Sequence, residues 1–228
     1  MKLLAIDTST EACSAALLID GQVLEEYALA PRQHTQLILP MVERLLATAG
    51  ASLRQLDGIA FGRGPGAFTG LRVAAGVTQG LAFGAELPVV PVSSLAALAH
   101  AAWRLHGAKR VLAVLDARMH EVYWGAWHVD GMGQTRPEGV EQVIPPAAAP
   151  LPSGTGWFAA GHGWLAYEAI LTPRFASIES GRDGHLLPRA HDVALIGAYL
   201  ARHGGLLPAE AAQPVYLRDR VAEKPKSV

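Results

Sequence analysis

The sequence contains one cysteine, Cys13, in 228 residues. A single thiol excludes an intrachain disulfide and fits a reducing compartment. No apolar run reaches the roughly 18 residues that a membrane-spanning helix needs. Asp7 also interrupts the first apolar segment too early for a signal peptide. We therefore expect a cytoplasmic protein without a membrane segment, in which Cys13 belongs to the core and is not a nucleophile.

Charge is scarce and nearly balanced. Only 17% of the residues are charged, and 19 Lys and Arg oppose 20 Asp and Glu. A protein that binds nucleic acid on its own normally has more Lys and Arg than Asp and Glu. We therefore expect any contact with RNA to be confined to a local patch or to be made by another subunit. The basic cluster at 216–226 is interpreted as a solvated tail, with an RNA contact as the alternative. Half of the residues are hydrophobic, which disfavours disorder and leaves apolar surface for a partner.

The motifs of metal and hydrolytic chemistry are also missing. None of the nine histidines has another four residues away, and His34 is followed at that distance by Ile38. Two metal ligands on one helix need that spacing, so no metal site is predicted. There is no G-x-S-x-G elbow and no Walker lysine, because the glycine loop continues into Thr69-Gly70-Leu71. We therefore expect no bound cofactor.

The patterns that are present indicate an α/β fold in two lobes. Residues 1–107 predict the order β-β-β-α-β-α-β-α, with Asp20-Gly21 as a hairpin turn. A second hairpin pattern begins near residue 111, and its strand ends in Asp116 as the first ends in Asp7. We interpret this as an internal duplication, with chance similarity as the alternative. The predicted lobes are 1–107 and a smaller, eroded 108–228, in the actin-like, sugar-kinase and Hsp70-type (ribonuclease-H-like) fold class.

Two segments of the first lobe are candidate sites. In "DTST", the Asp7 carboxylate could accept a hydrogen bond from water or coordinate a metal ion, while the Thr8 and Ser9 hydroxyls could donate to a phosphate. The alternative is that these residues only stabilise an ordinary turn. The second segment is "GRGPGAFTGLRVAAG", at 62–76. Here Thr69 could cap the following helix, and Arg72 could help its N-terminus to receive an anion.

The helix after this loop carries glycines four residues apart, at Gly76, Gly80 and Gly84. Each glycine inside a helix costs about 1 kcal/mol relative to alanine, so we expect another backbone to approach closely. That backbone belongs either to the protein's own first helix or to a helix of another chain.

The segments "MKLLAIDTSTEACSAAL", "RQHTQLILPMVERLL", "GRGPGAFTGLRVAAGVTQGLAFG" and "PVYLRDRVA" together resemble the bacterial TsaB (YeaZ) family. The resemblance implies a non-catalytic dimerisation subunit for the threonylcarbamoyl modification of the adenosine 3′ of the tRNA anticodon. It also implies pairing with the paralogue TsaD, assembly with the ATPase TsaE, self-pairing when the partner is missing, and tRNA contact only through the complex.

The same resemblance makes the helices from Thr35 and Thr69 the pairing surface. The residues predicted to bind the partner are Leu37, Met41, Val42, Leu45, Leu71, Val73, Gly76, Val77 and Gly80. Two alternatives stay open at this point. One is an ATP-dependent small-molecule kinase of the same fold, with Asp116 as its base. The other is a metallopeptidase-like protein, which lacks its histidine pair.

Overall fold

The computed structural model describes residues 1–218, in which the first half of the chain forms one five-stranded mixed sheet. Its strands follow the order β3-β2-β1-β4-β5. The first three pair antiparallel as a meander, while β4 and β5 add parallel to β1. The strands are β1 (Lys2–Asp7), β2 (Ala12–Ile19), β3 (Gln22–Leu29), β4 (Gly58–Gly64) and β5 (Val89–Ser93).

A second five-stranded sheet repeats this arrangement. Its order is β10-β9-β6-β7-β8; read from the opposite edge, this is the order of the first sheet with each strand number raised by five. The predicted duplication is therefore confirmed, including the antiparallel hairpin that opens each sheet. The strands are β6 (Arg110–Arg118), β7 (Glu121–Val129), β8 (Thr135–Ile144), β9 (Trp157–Ala160) and β10 (Glu179–Asp183).

The helices form three layers around these sheets. They are α1 (His34–Ala49), α2 (Phe68–Ala85), α3 (Ser94–His106), α4 (Gly163–Ala166), α5 (Glu168–Phe175) and α6 (Ala190–Arg202). The helices α1 and α2 cover the outer face of the first sheet. Between the two sheets lie α3 and α6, in the largest apolar cluster. The outer face of the second sheet packs on α4 and α5. Among residues 1–218, none of the helices is both long and apolar enough to cross a membrane.

Several local signals do what the sequence predicts. Asp20 and Gly21 adopt positive φ values of 52° and 85° in the β2–β3 hairpin turn. Gly50 ends α1 in the left-handed conformation, and the Ser93 side chain caps α3 by accepting from two backbone N–H groups. Cys13 is fully buried, as expected of a core residue. Thr69, however, is not a cap, because α2 begins at Phe68 without a side-chain cap.

One buried ionic cluster joins the two helices between the sheets. Asp192 on α6 is fully buried, and its Oδ1 lies 2.7 Å from His100 Nδ1 on α3. Arg104, one turn further along α3, donates to both Asp192 oxygens at 3.0 and 2.9 Å. Although burial acts to raise the pKa of Asp192, hydrogen bonds led by that from His100 hold it well below its ordinary range. The carboxylate therefore stays ionised between the lobes.

Candidate partner-binding face and interlobe cleft

The glycine loop folds back onto the turn that follows β1. The backbone N–H of Ala67 donates to the Ser9 carbonyl at 2.7 Å, and the Thr8 hydroxyl donates to the Gly70 carbonyl at 2.7 Å. A Cβ at Gly66 would clash with the Ser9 carbonyl oxygen, and one at Gly70 with that of Thr8. These two glycines therefore permit close backbone packing inside the first lobe.

This packing buries Asp7, Thr8 and Ser9, the residues of the predicted nucleotide or anion site. All three residues are fully buried. The Ser9 hydroxyl and backbone N–H both donate to Asp7 Oδ1, at 2.8 and 3.0 Å. Arg72 is not brought to them: its guanidinium lies 3.8 Å from the Phe68 ring centroid and donates to the Tyr216 hydroxyl. The "DTST" segment is therefore a turn bonded within the first lobe, and its Ser9 and Thr10 form part of the wall of the cleft between the lobes.

Asp7 nevertheless has an unusual environment. Burial raises its pKa to about 6, and the hydrogen bonds from Ser9 offset only part of that effect. Its second oxygen, Oδ2, faces Gly62 and has no hydrogen-bond partner among the described residues. The carboxyl group is therefore half-protonated in mildly acidic solution and costs stability when it is ionised.

A cleft of about 600 Å³ lies between the lobes. The N-terminal ends of α1 and α2 line one side, and residues 115–119 with His162 line the other. Residues 215–218 also line the cleft, where Arg218 forms an ion pair with Glu121. The sequence segment singled out at 214–222 is thus described only as far as Arg218. The rest of it, including Asp219 and the later part of the basic cluster, lies outside the described residues.

The polar groups of this cleft are engaged with one another. Asp116 pairs with Arg118 at 2.8 Å, and its backbone N–H donates to His162 Nδ1 at 3.0 Å. Burial lowers the pKa of His162, although the Glu11 and Asp116 carboxylates act to raise it. The arrangement gives no support to Asp116 as a free kinase base. Within residues 1–218, no three His, Cys, Asp or Glu side chains group closely enough to hold a metal ion.

The outer face of α2 is open. An added Cβ at Gly76, Gly80 or Gly84 would meet no atom within 4 Å, and all three glycines are exposed. Half-buried Val73 and Val77 lie beside them on this helix. The stripe of small residues therefore does not pack beneath its own lobe, and α1 does not fill it.

Exposed apolar side chains also lie on α1 and α2, and sequence reasoning missed them. Phe83 is 57% exposed, Leu39 on α1 is 43% exposed and Phe68 is 42% exposed. Their signal in the sequence is that Leu39 and Phe83 lie off the main apolar stripe of their helices. A large apolar residue at such a position faces solvent or a partner.

Four of the predicted partner residues are buried within the first lobe. Met41, Val42, Leu45 and Leu71 are at most 4% exposed, because they pack against the outer face of the first sheet. Leu37 is half-buried against the same cluster. The regular apolar spacing that drew attention to these positions is the pattern of a helix packing on its own sheet.

The two hairpin-first sheets with α3 and α6 between them define a two-lobed α/β protein of the actin-like, ribonuclease-H-like class. A family model described as TsaD, tRNA N6-adenosine threonylcarbamoyltransferase, matches residues 25–152. The chain is 47% identical to the tRNA threonylcarbamoyladenosine biosynthesis protein TsaB of Escherichia coli (strain K12), over 98% of this chain and 97% of that protein.

A second relative of the same name, from Haemophilus influenzae, is 43% identical over 98% of this chain and 96% of its own length. Among solved structures, YeaZ from Pseudomonas aeruginosa superposes with a TM-score of 0.86 at 47% identity, covering 95% of this chain and 99% of that one. The chain belongs to the TsaB family.

Proposed function

We propose that this chain is a non-catalytic scaffold subunit in the biosynthesis of threonylcarbamoyladenosine in tRNA, the process for which its relatives are named. Two features support a role without catalysis. The turn that could have met a phosphate is closed by the glycine loop. In addition, the Asp116 carboxylate is already paired with Arg118.

The observation that carries the proposal is the open glycine stripe on α2. Three glycines inside one helix cost about 3 kcal/mol relative to alanines, and no contact within the lobe offsets that cost. A helix from another molecule can approach such a stripe more closely than the usual 8–10 Å between axes. The exposed apolar side chains of Leu39, Phe68 and Phe83 on the same two helices would add to the apolar centre of such an interface.

The partner that fits is the paralogue TsaD, presenting the equivalent pair of helices so that α1 and α2 complete a four-helix contact. The same face would serve self-pairing when that partner is missing, and the ATPase TsaE would join the assembled pair in the cytoplasm. Of the residues predicted from sequence, Val73, Gly76, Val77 and Gly80 stay in this proposed interface.

The test is co-purification with TsaD of a charged variant and a matched control. Val77→Glu places a carboxylate in the middle of the face, and we expect pairing to fall at least a hundredfold while the circular dichroism spectrum is unchanged. Ile170→Glu makes the same change at a 43% exposed helical position on α5. That control should pair as the wild type does.

Two results would contradict the proposal. Wild-type pairing by Val77→Glu would place the interface on another surface. Modification of tRNA by TsaD at its full rate without this chain would show that no scaffold is needed.

A further inference from the structure

A basic groove lies at the end of the second sheet farthest from the cleft. It is a hollow of about 280 Å³ where β6 begins, β7 ends and β8 begins. Lys109, Arg110 and Arg136 line it together with His128. The sequence hides this cluster, because its cations are up to 27 positions apart and meet only through the register of three strands.

One of these cations is held in place and two are open to solvent. Arg110 Nη1 donates to the Thr155 carbonyl at 2.8 Å, and its guanidinium lies 6.0 Å from the Trp157 ring centroid. Lys109 and Arg136 are exposed. Within residues 1–218, no carboxylate oxygen lies within 4.0 Å of a side-chain nitrogen of any of the three.

The carboxylates near the groove do not cancel this charge. Asp130 lines the hollow, and its Oδ1 accepts from the backbone N–H groups of Gln134 and Met132. Those hydrogen bonds lower the pKa of Asp130, so it contributes one negative charge. Glu138 lies 2.5 Å from His128 and pairs with that ring. Three cations against the two carboxylates of Asp130 and Glu138 leave the groove with one excess positive charge, in a chain whose formal net charge is −1.

We propose that this basic groove contacts the phosphate backbone of the tRNA when the chain is in its complex. The inference rests on the proposed function, which supplies an RNA substrate. Exposed lysine and arginine side chains attract phosphates and carry no sequence preference. The groove is also separated from the α1 and α2 face by the first sheet and by α3 and α6. A partner bound on that face therefore leaves the groove open to RNA.

The experiment measures tRNA binding by the assembled complex over a series of salt concentrations. In Lys109→Ala/Arg136→Ala, two cations without hydrogen-bonded partners are removed, and Arg110 stays in place. Each lost phosphate contact should flatten the slope of log affinity against log salt by about 0.7–0.9. We therefore expect a slope shallower by about 1.5, with affinity at low salt reduced roughly tenfold. The control, Arg54→Ala/Arg202→Ala, removes the same charge from exposed positions elsewhere and should bind as the wild type does.

Pairing is measured on the same samples by co-elution with TsaD, which separates the two proposals. A groove variant that pairs normally but has a weaker, less salt-dependent tRNA affinity supports the inference. A groove variant that pairs normally and matches the wild type in affinity and slope overturns it, while the scaffold proposal stands. A wild-type chain that does not pair with TsaD overturns the scaffold proposal, whereas a wild-type complex that forms but does not bind tRNA overturns the groove inference.

Discussion

Thr8 donates its hydroxyl hydrogen to the carbonyl oxygen of Gly70 across 2.7 Å, and this contact ties the turn after β1 to the first turn of α2. Gly70 is buried there, with no room for a side chain between it and the Thr8 backbone. Six residues along the same helix, Gly76 faces open space. The glycines of α2 thus have two different roles. Gly70 allows close packing inside the first lobe, whereas Gly76, Gly80 and Gly84 leave the outer face of the helix open.

Because Gly70 packs against the Thr8 backbone, we expect Gly70→Ala to lose much of the stability of the fold. The new Cβ would overlap the Thr8 carbonyl oxygen, which is backbone and cannot rotate away. Overpacking of this kind costs about 3 kcal/mol or more when the main chain must shift. Chemical denaturation should show the loss as a lower midpoint with an unchanged slope. A Gly70→Ala chain as stable as the wild type would mean that the loop and the turn are not packed in this way.

Because Gly80 lies on the open face of α2, we expect Gly80→Ala to increase the stability of the isolated chain. A Cβ at this position meets nothing within 4 Å in the lobe, so the isolated chain should gain about 1 kcal/mol from higher helix propensity. Pairing with TsaD should weaken, because the methyl group stands where a partner helix approaches. Thermal unfolding measures the first effect and titration calorimetry the second. Unchanged or tighter pairing would show that the stripe is not where the partner packs.

Asp192→Asn should weaken the connection between α3 and α6. The substitution keeps the shape but removes the charge that His100 and Arg104 share, and breaking a buried ion pair costs about 3 kcal/mol. Because the folded pKa of Asp192 is depressed, its stabilising contribution is fully present at neutral pH and declines only in acid, below about pH 4. Unfolding free energies measured from about pH 7 down to about pH 2 should therefore differ by a constant amount above about pH 4 and by less and less below it. A difference that stays constant over the whole range would contradict the assignment.

Asp7→Asn should show the reverse pH dependence. The folded pKa of about 6 lies above the ordinary value of 3.8, so the folded chain binds the proton more tightly and loses stability as the pH rises through that interval. The loss amounts to about 3 kcal/mol when the carboxyl is fully ionised. The neutral amide avoids it, and the variant should be the more stable chain near pH 8 and show a flatter profile. Parallel profiles for wild type and variant would exclude a buried, unpartnered carboxylate at this position.

The local elements of the first half could be predicted from sequence because each has a short-range signal. Asp20-Gly21 specifies a hairpin turn, Gly50 stops α1 and Ser93 caps α3. Strand β10, by contrast, reads Glu-Ser-Gly-Arg-Asp and has no apolar alternation to reveal it. It is a strand because β9 offers it a parallel edge, which is a tertiary cause.

The candidate face could be predicted only in part. The glycines of α2 identified the helix, but helical spacing singled out Met41, Val42 and Leu45, which the sheet buries. The spacing of apolar residues shows which positions share one face of a helix. It does not show whether that face packs against the protein's own sheet or against a partner. Leu39, Phe68 and Phe83 could be recognised as surface only once the opposite face was occupied.

By itself, the sequence determined the hairpin-first order of elements, its repetition and the family, because these follow from local patterns and motifs read along the chain. Tertiary structure decided which glycines are covered and which are open, that Asp7 is buried, and that Lys109, Arg110 and Arg136 share one groove. Those outcomes depend on residues far apart in sequence, which only strand register and the packing of layers bring together.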